Sequence, residues 1–220
     1  MSDLLARWWY RMNFWAQGAT LTLGFSLRTE GMEHVPRTGP ALLIANHQSF
    51  LDPPMVGVAA RRRLCFLARK SLFRHRGLAC FLRSLNAVPV DQEGVGIEGL
   101  RVLLQKLREG EAVMVFPEGN RTPDGTMQPL MPGIHLLIKR APAPIIPIGI
   151  AGAYAAWPRW RLLPVPAPLF MSAGPGTLAV AIGRPLDGRR LAALPREQVL
   201  KELFDAIQRM QERAERLRRK

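Results

Sequence analysis

Large apolar residues in this chain fall into short unbroken runs, and between the runs they recur at helical spacing. The segment "ALLIAN" (41–46) predicts a strand buried on both faces. "DPPMVGVAA" (52–60) predicts a helix capped by Asp52 with proline in its first turn. "RRRLCFLAR" reads as a strand or its approach, "SLFRHRGLACFLRSL" as a helix, and "NAVPV" as a short strand. "IEGLRVLLQKLREG" predicts a helix ended by Gly110, followed by a second buried strand in "EAVMVFPEG". Two further strands are predicted in "APIIPIGIAGA" and "LAVAIGRPL". Leu200, Leu203, Phe204, Ile207 and Met210 share a helical face, so the chain should end in a helix docked on the body. The closing "ERAERLRRK" loses that stripe and is expected to be solvated. Strands alternating with helices predict one α/β layered domain, with a largely parallel central sheet flanked by helices.

The start of the chain follows a different pattern. From Met12 to Leu27, "MNFWAQGATLTLGFSL" has no charge, yet it is shorter than a bilayer span and is interrupted by Asn, Gln, Gly, Thr and Ser. Trp8, Trp9, Tyr10, Phe14 and Trp15 bracket Arg7 and Arg11, a mixture suited to an amphipathic helix lying at a membrane interface. Packing of these aromatics on the core is the competing reading. All five tryptophans fall in two clusters, the second being "WPRWR", where Trp157 and Trp160 alternate with Arg159 and Arg161.

Composition narrows the possibilities. A chain of 220 residues, 48% hydrophobic, is long enough for one packed core and short for two ordinary domains. With 31 Lys and Arg against 17 Asp and Glu, the formal charge of +14 points to an anionic partner: nucleic acid, lipid headgroups or a phosphorylated substrate. Residues 61–76 concentrate this charge, with Lys and Arg interleaved among Leu, Phe and Cys and no acid, as on a surface that holds anionic lipid. Nucleic acid is the weaker option, since no binding module and no aromatics placed to stack bases accompany the basic residues. Cys65 and Cys80 lie among apolar residues, without metal-site or disulfide-scaffold spacing, and are expected to be core thiols in a reducing compartment. No cleavable signal sequence is legible at the start.

Candidate chemistry begins where the first buried strand ends. His47 and Asp52 would stand about 140° apart on a regular helix, so they meet only if the chain turns between them. The strand end and the prolines supply that turn. A carboxylate on one imidazole nitrogen fixes the tautomer and leaves the other nitrogen to take a proton, which describes a general base and its orienter. The bland alternative has Asp52 only capping a helix. Ser49 lacks the Gly-x-Ser-x-Gly elbow of a hydrolase nucleophile, so no covalent enzyme intermediate is expected. The second candidate is "VMVFPEGNRTPDG" (113–125), in which a buried strand runs into a turn at Gly119 carrying Asn120, Arg121 and Thr122. Amides at such a turn beside a guanidinium suit a phosphate. Gly94, Gly96 and Gly99 form a G-x-G-x-x-G pattern between a strand and a helix, the context of a dinucleotide site. It falls mid-domain, with too little chain beyond it for two nucleotide-binding halves.

"NHQSFLD" followed some seventy residues later by "FPEGNRT" resembles the glycerolipid acyltransferase family, the lysophosphatidic acid acyltransferases in particular. "GMEHVPRTGPALLIANH", "NAVPVD" and "PIIPIGI" extend the resemblance over about residues 31–185. It implies that His47 deprotonates the free hydroxyl of a lysophospholipid while Asp52 holds His47. The oxygen then attacks the thioester of an acyl-CoA or acyl carrier protein, a co-substrate, with no cofactor and no metal. It further implies that Glu118, Gly119, Arg121 and Thr122 bind the acceptor's glycerol phosphate, with Lys70 a second phosphate ligand and Asn46 in support. Three positions depart from the family pattern: Gln92 and Met131 stand where cations are usual, and Thr122 replaces serine. The two lost cations bear on the acceptor headgroup and leave another lysolipid open as acceptor. A non-catalytic lipid-binding protein on the same fold is the reading from a different class. The expected layout is a membrane-associating segment over 1–30, an acyltransferase domain over 31–190, and a C-terminal helix with basic tail over 191–220, seated at the cytoplasmic face of a membrane.

Overall fold

The computed structural model describes residues 3–90, 97–169, 174 and 176–220. Asp91, Gln92, Gly94 and Gly96 lie outside the described residues, as do the side chains of Arg7 and Tyr10. Seven strands form one sheet: β1 (Arg28–Glu30), β2 (Ala41–Ala45), β3 (Leu64–Arg69), β4 (Ala87–Val90), β5 (Ala112–Val115), β6 (Ile145–Ala151) and β7 (Ala179–Ile182). Their order is β1-β7-β6-β2-β5-β3-β4. Strands β2 to β6 are mutually parallel, while β7 runs antiparallel to β6 and carries β1 parallel to itself. The expected largely parallel sheet is therefore present.

Each central strand reads as an apolar run because both faces are covered. Along β2, Ala41, Leu43 and Ala45 join a cluster with Leu21 and Phe25 of α1 (Asp3–Phe25) and Met55 and Val56 of α2 (Asp52–Ala60). The alternate residues Leu42 and Ile44 join the opposite layer, built from α4 (Ile97–Arg108), α5 (Gly133–Arg140) and α8 (Arg196–Arg218). The remaining described α-helices are α3 (Arg76–Ser84), α6 (Ala153–Ala156) and α7 (Gly188–Ala192). Gly99 has a packing reason, since a Cβ there would sit 2.7 Å from Leu67 Cδ1 where α4 crosses β3.

Several expectations are corrected. "SLFRHRGLACFLRSL" is not one helix: a 3-10 turn, Lys70–Arg74, is followed by extended backbone at His75 (φ −86°, ψ 117°) and then by α3. The turn stays at the carboxyl end of β3, and α3 carries the chain back so that β4 can pair parallel to β3. The basic stretch 61–76 is consequently split, with Arg61–Arg63 at one end of β3 and Arg69–Arg76 at the other. It cannot form a single lipid-facing surface. The expected solvated tail is instead the last part of α8, which continues to Arg218. There Ala214 is buried against Ala151, Ala179 and Ala181, and Leu217 packs on the same cluster. Helix α8 lies so close to β6 that a Cβ on Gly149 would fall 1.9 Å from the Met210 carbonyl carbon, so only glycine fits. Cys65 is buried, which pushes its thiol up to about 11, but Cys80 is exposed rather than a core thiol.

Strand β1, within the segment set apart as 1–30, is an edge strand of the sheet. Helix α1 precedes it as a single helix whose Trp8, Trp9, Met12 and Trp15 are exposed while Leu21 and Phe25 enter the core. Among the described residues no helix is long and apolar enough to cross a membrane.

Candidate active site

The carboxyl ends of the five parallel strands define the edge at which the chemistry gathers. As β2 leaves the sheet, the Asn46 side chain takes over the pairing: its Nδ2 donates to the Ile150 carbonyl at 3.0 Å and its Oδ1 accepts from the Ile150 N–H at 2.7 Å. This amide bridge, fully buried, fixes the height at which His47 emerges. The chain then turns and enters α2 with Pro53 and Pro54 in the first turn.

Asp52 is the first residue of α2 and does not cap it; Leu51 precedes the helix, and no side chain caps that end. Its carboxylate points back into the turn. Oδ2 accepts from His47 Nδ1 at 2.7 Å and from the backbone N–H groups of Gln48 at 2.6 Å and Ser49 at 2.8 Å. Asp52 is wholly buried, so the ring is held in a low-dielectric pocket in one tautomer, with Nε2 the nitrogen available at the cavity wall. Phe116 stacks on the imidazole at a centroid distance of 4.0 Å and 14° between planes, restricting its rotation. Ser49 is occupied elsewhere: its hydroxyl donates to the Trp157 carbonyl at 2.7 Å and accepts from the Leu51 N–H at 3.2 Å. That agrees with its not being a nucleophile.

The loop after β5 locks onto this turn. Gly119 has φ +79°, a left-handed conformation that lets the chain reverse after Phe116-Pro117-Glu118. Glu118, 5% exposed, accepts from the His47 N–H through Oε1 and from the Gln128 N–H through Oε2, both at 2.7 Å. The Thr122 N–H donates to the His47 carbonyl at 2.8 Å, so His47 is gripped on both sides of its backbone. Burial pushes the Glu118 carboxyl up to about 7; the two N–H donors oppose that rise, and the Asp52 charge adds to it. The Thr122 hydroxyl is taken up within its own turn by Asp124 Oδ1 and the Gly125 N–H. Glu118 and Thr122 thus brace the turn that carries His47, facing backbone.

Arg121 is the basic residue of this loop that borders the cavity. Its Cζ lies 3.6 Å over the Phe50 ring, and its Nη1 is buried with no hydrogen-bond partner. Burial lowers its pKa, the neighbouring Arg69 and Arg159 lower it further, and Asp52 pulls in the opposite direction. A buried guanidinium N–H without a partner, close to two further cations, is the kind of donor that an anion satisfies. His47, Gly119, Arg121 and Arg69 border a cavity of about 820 Å³ whose remaining walls are largely apolar, from α1, α2 and α3. Lys70 opens the 3-10 turn with its side chain exposed and does not border the cavity. Arg69 was not singled out from sequence, although "ARKSLF" places it beside Lys70; Phe116 and Phe50 were likewise missed, being ordinary apolar residues without a partner in view.

The site brings together a histidine hydrogen-bonded to a buried carboxylate and a buried guanidinium at the wall of a largely apolar cavity, on an α/β fold of the acyltransferase class. The chain belongs to the Acyltransferase family, whose model matches residues 26–151. It is 27% identical over 188 residues to a 1-acyl-sn-glycerol-3-phosphate acyltransferase of Bacillus subtilis, covering 85% of this chain and 87% of that one. It is 34% identical over 128 residues to 1-acyl-sn-glycerol-3-phosphate acyltransferase alpha of Mus musculus, covering 57% of this chain and 45% of that longer protein. The crystal structure of the 1-acyl-sn-glycerophosphate (LPA) acyltransferase PlsC from Thermotoga maritima superposes with a TM-score of 0.81 over 98% of this chain and 84% of that one. At 24% identity this likeness shows the shared fold.

Proposed function

We propose that this acyltransferase moves a fatty acyl group from acyl-CoA or acyl-ACP to the free hydroxyl of 1-acyl-glycerol 3-phosphate, giving phosphatidic acid. The observation that carries this reading is the buried, unpartnered Arg121 Nη1 beside the His47–Asp52 pair at the wall of one apolar cavity. A phosphomonoester on Arg121 places a glycerol hydroxyl within reach of His47 Nε2. That nitrogen takes the hydroxyl proton as the oxygen attacks the thioester carbonyl carbon, and Asp52 stabilises the imidazolium. Collapse of the tetrahedral intermediate breaks the carbon–sulfur bond, and the departing thiolate takes the proton back from His47. The names of the relatives in Bacillus and mouse support this acceptor. Exposed Trp8, Trp9 and Trp15 support a peripheral seat for α1 on a membrane, which we place at the cytoplasmic face, where acyl thioesters are found.

The test is acyl transfer from radiolabelled palmitoyl-CoA or palmitoyl-ACP to 1-acyl-glycerol 3-phosphate and to other lysolipids, with His47→Ala as control. Phosphatidic acid formed by the wild type, with turnover lowered by about two to four decades in the variant, is the expected result. Product from another lysolipid alone would replace the acceptor and keep the mechanism, and equal rates in wild type and His47→Ala would overturn the mechanism itself.

A further inference from the structure

The loop between α6 and β7 is built to hold apolar side chains in water. Leu162 is 87% exposed, Leu163 70% and Trp160 62%, within four consecutive residues that include exposed Arg161 and follow exposed Arg159. No acidic residue occurs between Ala155 and Leu169. The base of the loop is closed: the Val165 N–H donates to the Ala156 carbonyl at 2.7 Å, Trp157 Nε1 to the Arg161 carbonyl at 3.0 Å, and the Arg161 N–H to the Pro158 carbonyl at 3.2 Å. Tyr154 meets the Trp160 ring edge to face at 5.3 Å. These side chains are therefore presented by an ordered scaffold, and an ordered apolar tip left in water needs a partner.

The loop is also joined to α1. The N–H groups of Ala167 and Leu169 donate to the carbonyls of Gly24 and Leu23, and exposed Leu23 and Leu169 make the apolar surface continuous across the junction. Both elements lie at the edge of the sheet where His47 emerges, since β6 ends and β1 and β7 begin there. Trp157 links the loop to the site: its carbonyl accepts from the Ser49 hydroxyl, and its ring lies 5.6 Å from Phe50, which carries Arg121.

We propose that the tip Trp160-Arg161-Leu162-Leu163 inserts into the interfacial region of an anionic bilayer as a second anchor beside α1, seating the mouth formed by Trp157, Phe50 and Arg121 on the surface that holds the acceptor. The lipid assignment follows from the chemistry of the tip: indole and leucine for the acyl boundary, two guanidinium groups for anionic headgroups, and no acid to repel them. It rests on the proposed function only in taking the acceptor to be a bilayer lipid.

The experiment compares the full-length wild type with Leu162→Asp/Leu163→Asp on vesicles of phosphatidylcholine and phosphatidylglycerol. The variant should keep the wild-type melting temperature, because both side chains are solvent-facing. Its partition onto the vesicles should fall about tenfold or more. Its kcat/KM on vesicle-borne lysolipid should fall in parallel, while its rate on monomeric short-chain substrates is unchanged. Unchanged partition overturns the proposal, as does a wild-type dimer that the substitution converts to a monomer, which would assign the patch to a second copy of the chain. Partition requires no turnover, so a protein that leaves vesicles on this substitution yet makes no phosphatidic acid supports the anchor and overturns the proposed function alone.

Discussion

Glu118→Gln separates the two roles open to that residue. Its two oxygens accept from two backbone N–H groups, those of His47 and Gln128. A carboxamide has one acceptor, so in either orientation an NH₂ faces one of those donors. The group left without a partner costs about 1–3 kcal/mol, and a similar loss in the anchoring of His47 lowers kcat by about tenfold or more. The pH dependence of stability is a separate effect. Burial raises the carboxyl from 4.5 to about 7, a displacement of about 3 kcal/mol at about 1.4 kcal/mol for each pH unit. The folded state binds this proton more tightly than the unfolded chain does, so this group's contribution to stability is fully present below about pH 4.5 and is lost as pH rises through about 7. Glutamine does not titrate, so that pH dependence is absent from the variant.

Urea unfolding of both proteins at pH 5 and pH 8, with steady-state kinetics at pH 8, measures both effects. The expected outcome is a variant with a flatter pH dependence of stability than the wild type and a lower kcat, with acceptor KM little changed. If both proteins lose the same stability between the two pH values, Glu118 is not the titrating group. A raised acceptor KM with normal kcat would show that Glu118 binds acceptor, the role implied by the family resemblance, and would refute the bracing role.

Asp52→Asn replaces an acceptor of three hydrogen bonds with an amide that cannot serve them all, and kcat should fall by about two to four decades with acceptor KM near wild type. Arg121→Ala should raise acceptor KM by about ten- to a hundredfold, the value of one charge-assisted hydrogen bond to phosphate; an unchanged KM would remove Arg121 from the anion site. Between the adjacent cations, Arg69→Ala should weaken acceptor binding more than Lys70→Ala, because Arg69 borders the cavity, and the reverse order would restore the assignment drawn from sequence. Gly57 borders the same cavity with open space beyond its Cα, so Gly57→Phe should shift preference toward shorter acyl donors in a competition assay with palmitoyl and decanoyl thioesters.

The central strands were legible because burial on both faces gives short continuous apolar runs. β1 was not, because Arg28, Thr29 and Glu30 are half-buried at the sheet edge and carry no apolar signal. The last turns of α8 were misread for a related reason: they dock through Ala214 against three alanines of the sheet, where close approach replaces large side chains. At the site, the His47–Asp52 spacing and the prolines announced a turn, and the turn is there. Whether Asp52 capped the helix or held the ring depended on three donors converging on one oxygen, which no spacing reveals. Glu118 is the stronger case, since its partners are main-chain groups ten and seventy-one residues away. The motif residues were therefore found and their partners were not, because a backbone N–H belongs to every residue but proline.

Two buried polar atoms, Asp52 Oδ1 and Arg121 Nη1, have no partner. They carry opposite charge, and the Asp52 charge is felt at Arg121, yet they do not pair. Pairing would satisfy both and would draw the carboxylate away from His47, Gln48 and Ser49, undoing the turn that holds the histidine. Two features keep them apart. The backbone donors hold Asp52 in the turn, and the Phe50 ring, next but one before Asp52 in sequence, carries the guanidinium on its face. The ring offers Arg121 a weaker attraction than a carboxylate would, so the donor stays free for a stronger anion. The site thus holds an anion fixed by backbone donors and a cation resting on an aromatic face, and on the proposed function a phosphate would pair with the second without disturbing the first. Phe50→Ala would remove the face on which the guanidinium rests and free it to turn toward Asp52; its expected result is a fall in kcat together with a rise in acceptor KM, and a change in only one of the two would show that the ring does not restrain Arg121 from pairing with Asp52.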